Sequence, residues 1–156
     1  VAPRHSIWLG QGREEKNLQE SEMKRQLEQV LEFHEKFSCH IEATPAGNLS
    51  KDVTDVRARL MQEELDEYKE AVAQGDMMGV ADALSDLMYV VLGTYVSHGL
   101  HQHAEDLFDE VHRSNMSKLD EEGRAIHRAD GKVLKSDDWS PPDLESILSR
   151  GTRADE

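Results

Sequence analysis

The chain has 156 residues, a common size for one domain, and is long enough to bury a core without a disulfide or structural metal. Eighteen basic against thirty-two acidic residues leave a net charge of −14. That balance excludes a phosphate-tracking nucleic-acid groove and docking on an anionic leaflet, both of which need clustered Lys and Arg.

The single Cys39 excludes an internal disulfide framework and a cysteine-based zinc site, so a reducing, cytoplasmic setting is expected. The N-terminal residues lack a basic start followed by an apolar stretch, so no secretory leader is expected. Residues 1–17 show no periodicity and are predicted to form a mobile arm, with Ile7, Trp8 and Leu9 as a small apolar cluster. Residues 18–156 are predicted to form one helical domain.

Met23, Leu27, Val30, Leu31 and Phe37 recur at helical spacing and predict a first helix over 19–37. Pro45, Gly47 and Asn48 break the chain into a loop. Ser50 is the expected N-cap of a second helix over 51–73, which stops at Gly75. Asp76 is the expected cap of a third over 77–97. The longest apolar run, 87–96, would span only about 15 Å as a helix, half a bilayer core. No membrane partner is expected. A fourth helix is predicted over 102–118, then a tight turn at Asp130-Gly131. Pro141-Pro142 start a last short helix with Asp143 in its first turn. With no alternating strands, the fold class is all-α: a four-helix bundle-type domain with an irregular basic C-terminal tail.

The chemistry lies where core stripes turn polar. On the second helix Val53, Val56 and Leu60 occupy the arc that continues into Glu63, Glu64, Glu67 and Glu70, all within about 60° of Glu67. On the third helix Asp82, Asp86, Tyr89, Val90 and Gly93 share one face, and that helix is otherwise apolar nearly all round. Two aspartates on the inner face of a central helix are expected to be buried, where unpaired carboxylates are costly. A divalent cation would relieve the cluster, and oxygen-only donors favour Mg²⁺, with Mn²⁺ as a substitute, over zinc. The plain alternative is a charged face paired with Arg57, Arg59 and Lys69. On the fourth helix Ala104, Phe108 and Val111 form an apolar stripe ending in Asn115 and Lys118. Arg124, Arg128, Lys132 and Lys135 follow with only Asp130 against them from 124 to 135, a basic segment in an acidic protein. Carboxylates, then Asn and Lys, then a basic tail suit a metal-bound polyphosphate.

The stretch Glu63-Glu64-Leu65-Asp66-Glu67 followed by Asp82-Ala83-Leu84-Ser85-Asp86-Leu87-Met88-Tyr89 resembles the MazG-like all-α nucleoside triphosphate pyrophosphatases. Their pattern is E-E-x-x-E and then, one short turn later, E-x-x-D. His112-Arg113-Ser114-Asn115-Met116-Ser117-Lys118 and the tail Asp130-Gly131-Lys132-Val133-Leu134-Lys135 are similar to the branch related to phosphoribosyl-ATP pyrophosphatase. The resemblance covers residues 31–148. The sequence departs from the pattern at Ala83, which stands where the glutamate of E-x-x-D belongs if Asp86 is its aspartate; Asp82, one turn earlier, could supply the missing ligand.

The resemblance implies hydrolysis of a nucleoside triphosphate to the monophosphate and pyrophosphate, in nucleotide-pool clean-up. It implies Glu64, Glu67 and Asp86 as metal ligands with Asp82 next, and Glu63 beside Glu64 in the catalytic group, orienting or deprotonating water. Asn115 and Lys118 would hold the nucleotide, and Lys132 and Lys135 the phosphates. It also implies a homodimer or dimer of dimers whose pairing completes the burial of the helices. Phosphoribosyl-ATP hydrolysis in histidine synthesis is a second enzyme reading. An acidic helical scaffold or partner-binding bundle is the non-enzyme one.

Overall fold

The computed structural model describes residues 22–150, so the predicted arm and its Ile7-Trp8-Leu9 cluster lie outside it. Five helices follow one another: α1 Glu22–Lys36, α2 Lys51–Gln74, α3 Met77–Ser97, α4 Ala104–Met116 and α5 Leu144–Arg150. Among the described residues there is no strand, only an isolated antiparallel bridge between His127 and Val133 around the Asp130-Gly131 turn. The protein is an all-α helical bundle.

The α2–α3 hairpin positions the acidic candidates. Gly75 takes φ 68°, the left-handed conformation that closes α2, and the amide of Asp76 bonds back to the Ala71 carbonyl at 2.9 Å. Asp76 then caps α3 by accepting from the Met78 amide at 3.0 Å. Ser50 holds the cap position of α2 but makes no side-chain cap; its carbonyl instead accepts from the Thr54 amide at 3.1 Å.

α3 packs against α2 along its length and against α1 on another side. The core is small: Leu27 and Val30 of α1, Ala71 of α2, Ala83 and Val96 of α3. Val56, expected inside, is 40% exposed, because among the described residues nothing covers that flank of α2. The 38–49 loop is fastened to the C-terminal end of α3. His98 Nδ1 donates to the Ala46 carbonyl at 2.8 Å, and the Ala46 amide donates to His98 at 2.9 Å. A Cβ at Gly99 would lie 2.1 Å from the Thr44 carbonyl oxygen, so only glycine lets the loop approach.

Between α2 and α3, Arg57 turns inward. Its Nη2 donates to the Val90 carbonyl at 2.9 Å and its Nε to Thr94 Oγ1 at 3.3 Å. His34 is buried beside it, with Nδ1 donating to the His40 carbonyl at 3.0 Å. A Cβ at Gly93 would sit 2.6 Å from Arg57 Nη2 and 2.8 Å from His34 Nε2, so Gly93 supplies the space both side chains use. Burial pushes the guanidinium pKa below its usual value. Burial, and then the nearby Arg57 charge, hold the imidazole pKa low, opposing the favourable bond to His40.

α4 packs on α5 through Ala104, Leu107 and Ser114 on one side and Ile147 on the other. The expected stripe is therefore rotated: Ala104 is buried, but Phe108 is 59% exposed and Val111 is also exposed. The physical reason is a polar clasp that turns the other face inward. Ser114 Oγ donates to the Ser140 carbonyl at 2.8 Å, Arg113 Nη2 to the Pro141 carbonyl at 3.0 Å, and the Asp143 amide to Glu110 Oε1 at 2.8 Å. Asp143 precedes α5 as its cap, bonding the Ser146 amide and hydroxyl, rather than standing in its first turn.

Candidate active site

The acidic residues of α2 divide into two sets. Glu63 pairs with Arg59 at 3.6 Å, Asp66 with Lys69 at 2.8 Å, and Glu70 accepts from Gln74 at 3.0 Å. These are turn-spaced solvent pairs of the ordinary kind. Glu64 is different. It is half-buried at the α2–α3 seam, and its Oε2 is shut off from water with no hydrogen-bond partner. Desolvation pushes its carboxyl pKa above the usual range, and repulsion from Glu67, Asp86, Glu63 and Asp82 adds to the rise. The hairpin thus brings the five acidic candidates of α2 and α3 into one electrostatic neighbourhood. Arg57, the cation nearest in the α2 pattern, is engaged with the α3 backbone instead. Among the described residues no cation forms an ion pair with Glu64, Glu67, Asp82 or Asp86.

Glu67, Asp82 and Asp86 are exposed, which corrects the expectation of buried aspartates on α3. Among the described residues nothing covers this face. Among the described residues no three His, Cys, Asp or Glu side chains stand at ligating distance from one another. The donor set nonetheless fits a hard divalent ion: carboxylate oxygens from two facing helices, one of them a buried atom lacking a partner.

The remaining candidates are not brought to this face by any hydrogen bond or ion pair among the described residues. Lys118 Nζ donates to Asn115 Oδ1 at 2.6 Å, pairing the two with each other at the end of α4. Lys135 lies over the Trp139 ring, 3.3 Å from its centroid, a cation–π contact that the basic spacing could not show. Lys132 stands exposed on the Asp130-Gly131 turn. Arg124 and Arg128 are spent on Asp120 and Asp130 at 3.1 and 2.5 Å.

A family model for phosphoribosyl-ATP pyrophosphohydrolase matches residues 30–115, more than half of the chain. The chain belongs to the phosphoribosyl-ATP pyrophosphohydrolase family. It is a pyrophosphohydrolase, an all-α member of the MazG-like superfamily whose motifs its sequence carries. The family match takes in the whole α2–α3 hairpin and ends at Asn115, so Lys118, Lys132 and Lys135 lie beyond it. No curated protein matches the sequence significantly.

Sequence reasoning missed the inward turn of Arg57 and the burial of His34. The available signal was Arg57 interrupting the apolar positions Val53, Val56 and Leu60, one residue type too costly to bury without a seat such as Gly93.

Proposed function

We propose that the chain is a metal-dependent nucleoside triphosphate diphosphatase that releases the monophosphate and pyrophosphate, serving nucleotide-pool clean-up in the cytoplasm. The observation that carries this reading is Glu64: a carboxylate at a helix seam with one oxygen buried and unpartnered, amid four further carboxylates. Such an arrangement is unfavourable for the empty protein and favourable for one that receives a cation with its substrate.

Glu64, Glu67, Asp82 and Asp86 would hold Mg²⁺, or Mn²⁺ in its place. When bound, the ion supplies charge neutralisation on the phosphate oxygens and acidifies water. Glu63 orients a water, or removes its proton, for attack on the α-phosphorus. The water oxygen bonds to that phosphorus as the bridging oxygen leaves with the β-phosphate, and the departing group is pyrophosphate. Asn115 and Lys118 hold the nucleotide; Lys132 and Lys135 meet the phosphates, in the same chain or the neighbouring one.

We propose further that two or four copies associate. Met77, Met78, Leu84 and Met88 of α3 stand exposed, the second at 78% and the last at 52%. α3 is long and apolar enough, by length and composition, to cross a membrane, yet it carries Asp82 and Asp86 and packs against α1 and α2. A second copy covering this face would bury apolar surface and shield the carboxylates together.

The name of the matching family favours a second reading, hydrolysis of phosphoribosyl-ATP in histidine synthesis. A pyrophosphate-release screen with Mg²⁺ or Mn²⁺ over nucleoside triphosphates, damaged nucleotides and phosphoribosyl-ATP separates the two. Turnover of phosphoribosyl-ATP alone would replace the first reading by the second. No release from any of them, with melting curves that superimpose in chelator and in millimolar Mg²⁺, would favour a helical scaffold over an enzyme.

A further inference from the structure

One face of α3 reads, from its N-terminal end, Asp82, Asp86, Tyr89 and Gly93. The acidic half belongs to the site described above; the aromatic half has no role in it. Tyr89 follows Asp86 by three residues, about 4.5 Å along the axis. Its ring meets Phe33 of α1 edge to face, with centroids 5.8 Å apart and planes at 88°. Phe33 in turn stacks on Phe37, one turn further along α1, at 4.4 Å and 23°. The three rings form a continuous step across the α1–α3 contact, and all three are exposed, Phe37 at 68%.

Phe108 is exposed singly on α4, whereas these three rings are exposed and in mutual contact. The step lies one helical turn from the carboxylates that would take the phosphates, and its base is tied into the fold. His34, the neighbour of Phe33, is buried and bonded to His40, and Arg57 ties α2 to the backbone of α3 at Val90, the residue after Tyr89. Aromatic rings held this way offer a π-face at low entropic cost, and every nucleobase has a π-face to match. We propose that Phe33, Phe37 and Tyr89 form the platform on which the base of the substrate nucleotide stacks. Substrate then lies along α3 with phosphates toward Asp82 and base toward Gly93. The proposal rests on the nucleotide pyrophosphohydrolase reading and adds the direction of the substrate and the residues that meet its base.

The test compares a nucleoside triphosphate with inorganic tripolyphosphate, which carries the three linked phosphates and no base. Phe37→Ala is the primary variant because the ring is mostly exposed; Phe37→Trp restores a stacking surface. The expected result is a KM for the nucleotide raised about tenfold in Phe37→Ala and recovered in Phe37→Trp. The inhibition constant of tripolyphosphate should be equal in all three proteins. An unchanged nucleotide KM in Phe37→Ala overturns the platform, as does an equal loss for nucleotide and tripolyphosphate. A loss accompanied by a smaller species in gel filtration assigns the ring to a subunit contact and also overturns it. If the unaltered protein turns over no nucleotide at all, the functional reading fails instead, and the two failures are distinguishable.

Discussion

Glu64 at the α2–α3 seam and Glu110 at the α4–α5 clasp are carboxylates in opposite surroundings. From Glu110 onward several charges are answered nearby: Glu110 by Arg113 and the Asp143 amide, Asp120 by Arg124, Asp130 by Arg128, Lys135 by the Trp139 ring. Glu110 is held so well that its carboxyl pKa falls to about 2, mainly through the Arg113 hydrogen bonds. On the α2–α3 face, Glu64 has an oxygen with no partner and a carboxyl pushed up by burial and by four neighbouring carboxylates. Charges satisfied within the chain contribute to its shape; charges left unsatisfied at a helix seam indicate what the chain is built to receive. The acidic residues that matter are thus picked out by what they lack, since both regions look acidic or mixed in the sequence.

The sharpest break of this contrast comes from removing charge at the unsatisfied face. Glu67→Gln and Asp86→Asn should each lower turnover on the order of a hundredfold or more while leaving the metal-free protein as stable as before or more so, since repulsion is relieved. Pyrophosphate release and melting in chelator measure the two effects. A variant that loses activity and stability together would place these residues among the satisfied charges. The matching change at the other region is Glu110→Gln. It should keep turnover near that of the unaltered protein but loosen the clasp, so that amide exchange of residues 143–150 speeds severalfold. Unchanged exchange would mean that apolar packing of Ile147 alone holds α5.

The basic tail tests the border between the regions. Among the described residues no ring or carboxylate holds the Lys132 side chain, although its amide donates to Asp130 Oδ1, whereas the Lys135 ammonium rests on Trp139. Lys132→Ala should therefore raise KM about tenfold, and Lys135→Ala by less, at low salt. Equal or absent effects would remove the tail from the substrate site.

The smallest expected effect is in the pH dependence of stability, where the two glutamates have opposite signs. Between its elevated folded pKa and the ordinary value near 4.5, Glu64 binds its proton more firmly in the folded state, so its contribution weakens folding as pH rises through that window. Glu110 titrates the other way: its stabilisation is present above 4.5 and is lost as pH falls toward about 2. Melting temperatures of Glu64→Gln and Glu110→Gln against the unaltered protein should accordingly diverge in opposite directions. Parallel curves would show that the two carboxylates share one environment.

Periodicity and capping determined the helices. The third helix over 77–97 agrees with α3 to the residue, and the stop at Gly75 and the cap at Asp76 follow from chemistry that acts within four or five residues. The acid–acid motif spacing follows equally from local order, since helical geometry alone aligns Glu64 with Glu67 and Asp82 with Asp86, and the resemblance to the family rested on that motif together with the segments around Asn115 and Lys132. What only the tertiary structure decided was which neighbours each helix meets. The rotation of α4 depends on a clasp with Ser140, Pro141 and Asp143, residues 26 to 33 positions away from their partners. Arg57 turned inward because Gly93, on another helix, leaves room for its guanidinium beside His34. The exposure of Val56, Asp82 and Asp86 likewise reflects the absence of a covering layer in one chain. The physical reason is range: hydrogen bonds, caps and helical faces are set by adjacent residues, whereas burial and desolvation depend on surfaces that folding brings together from distant parts of the chain.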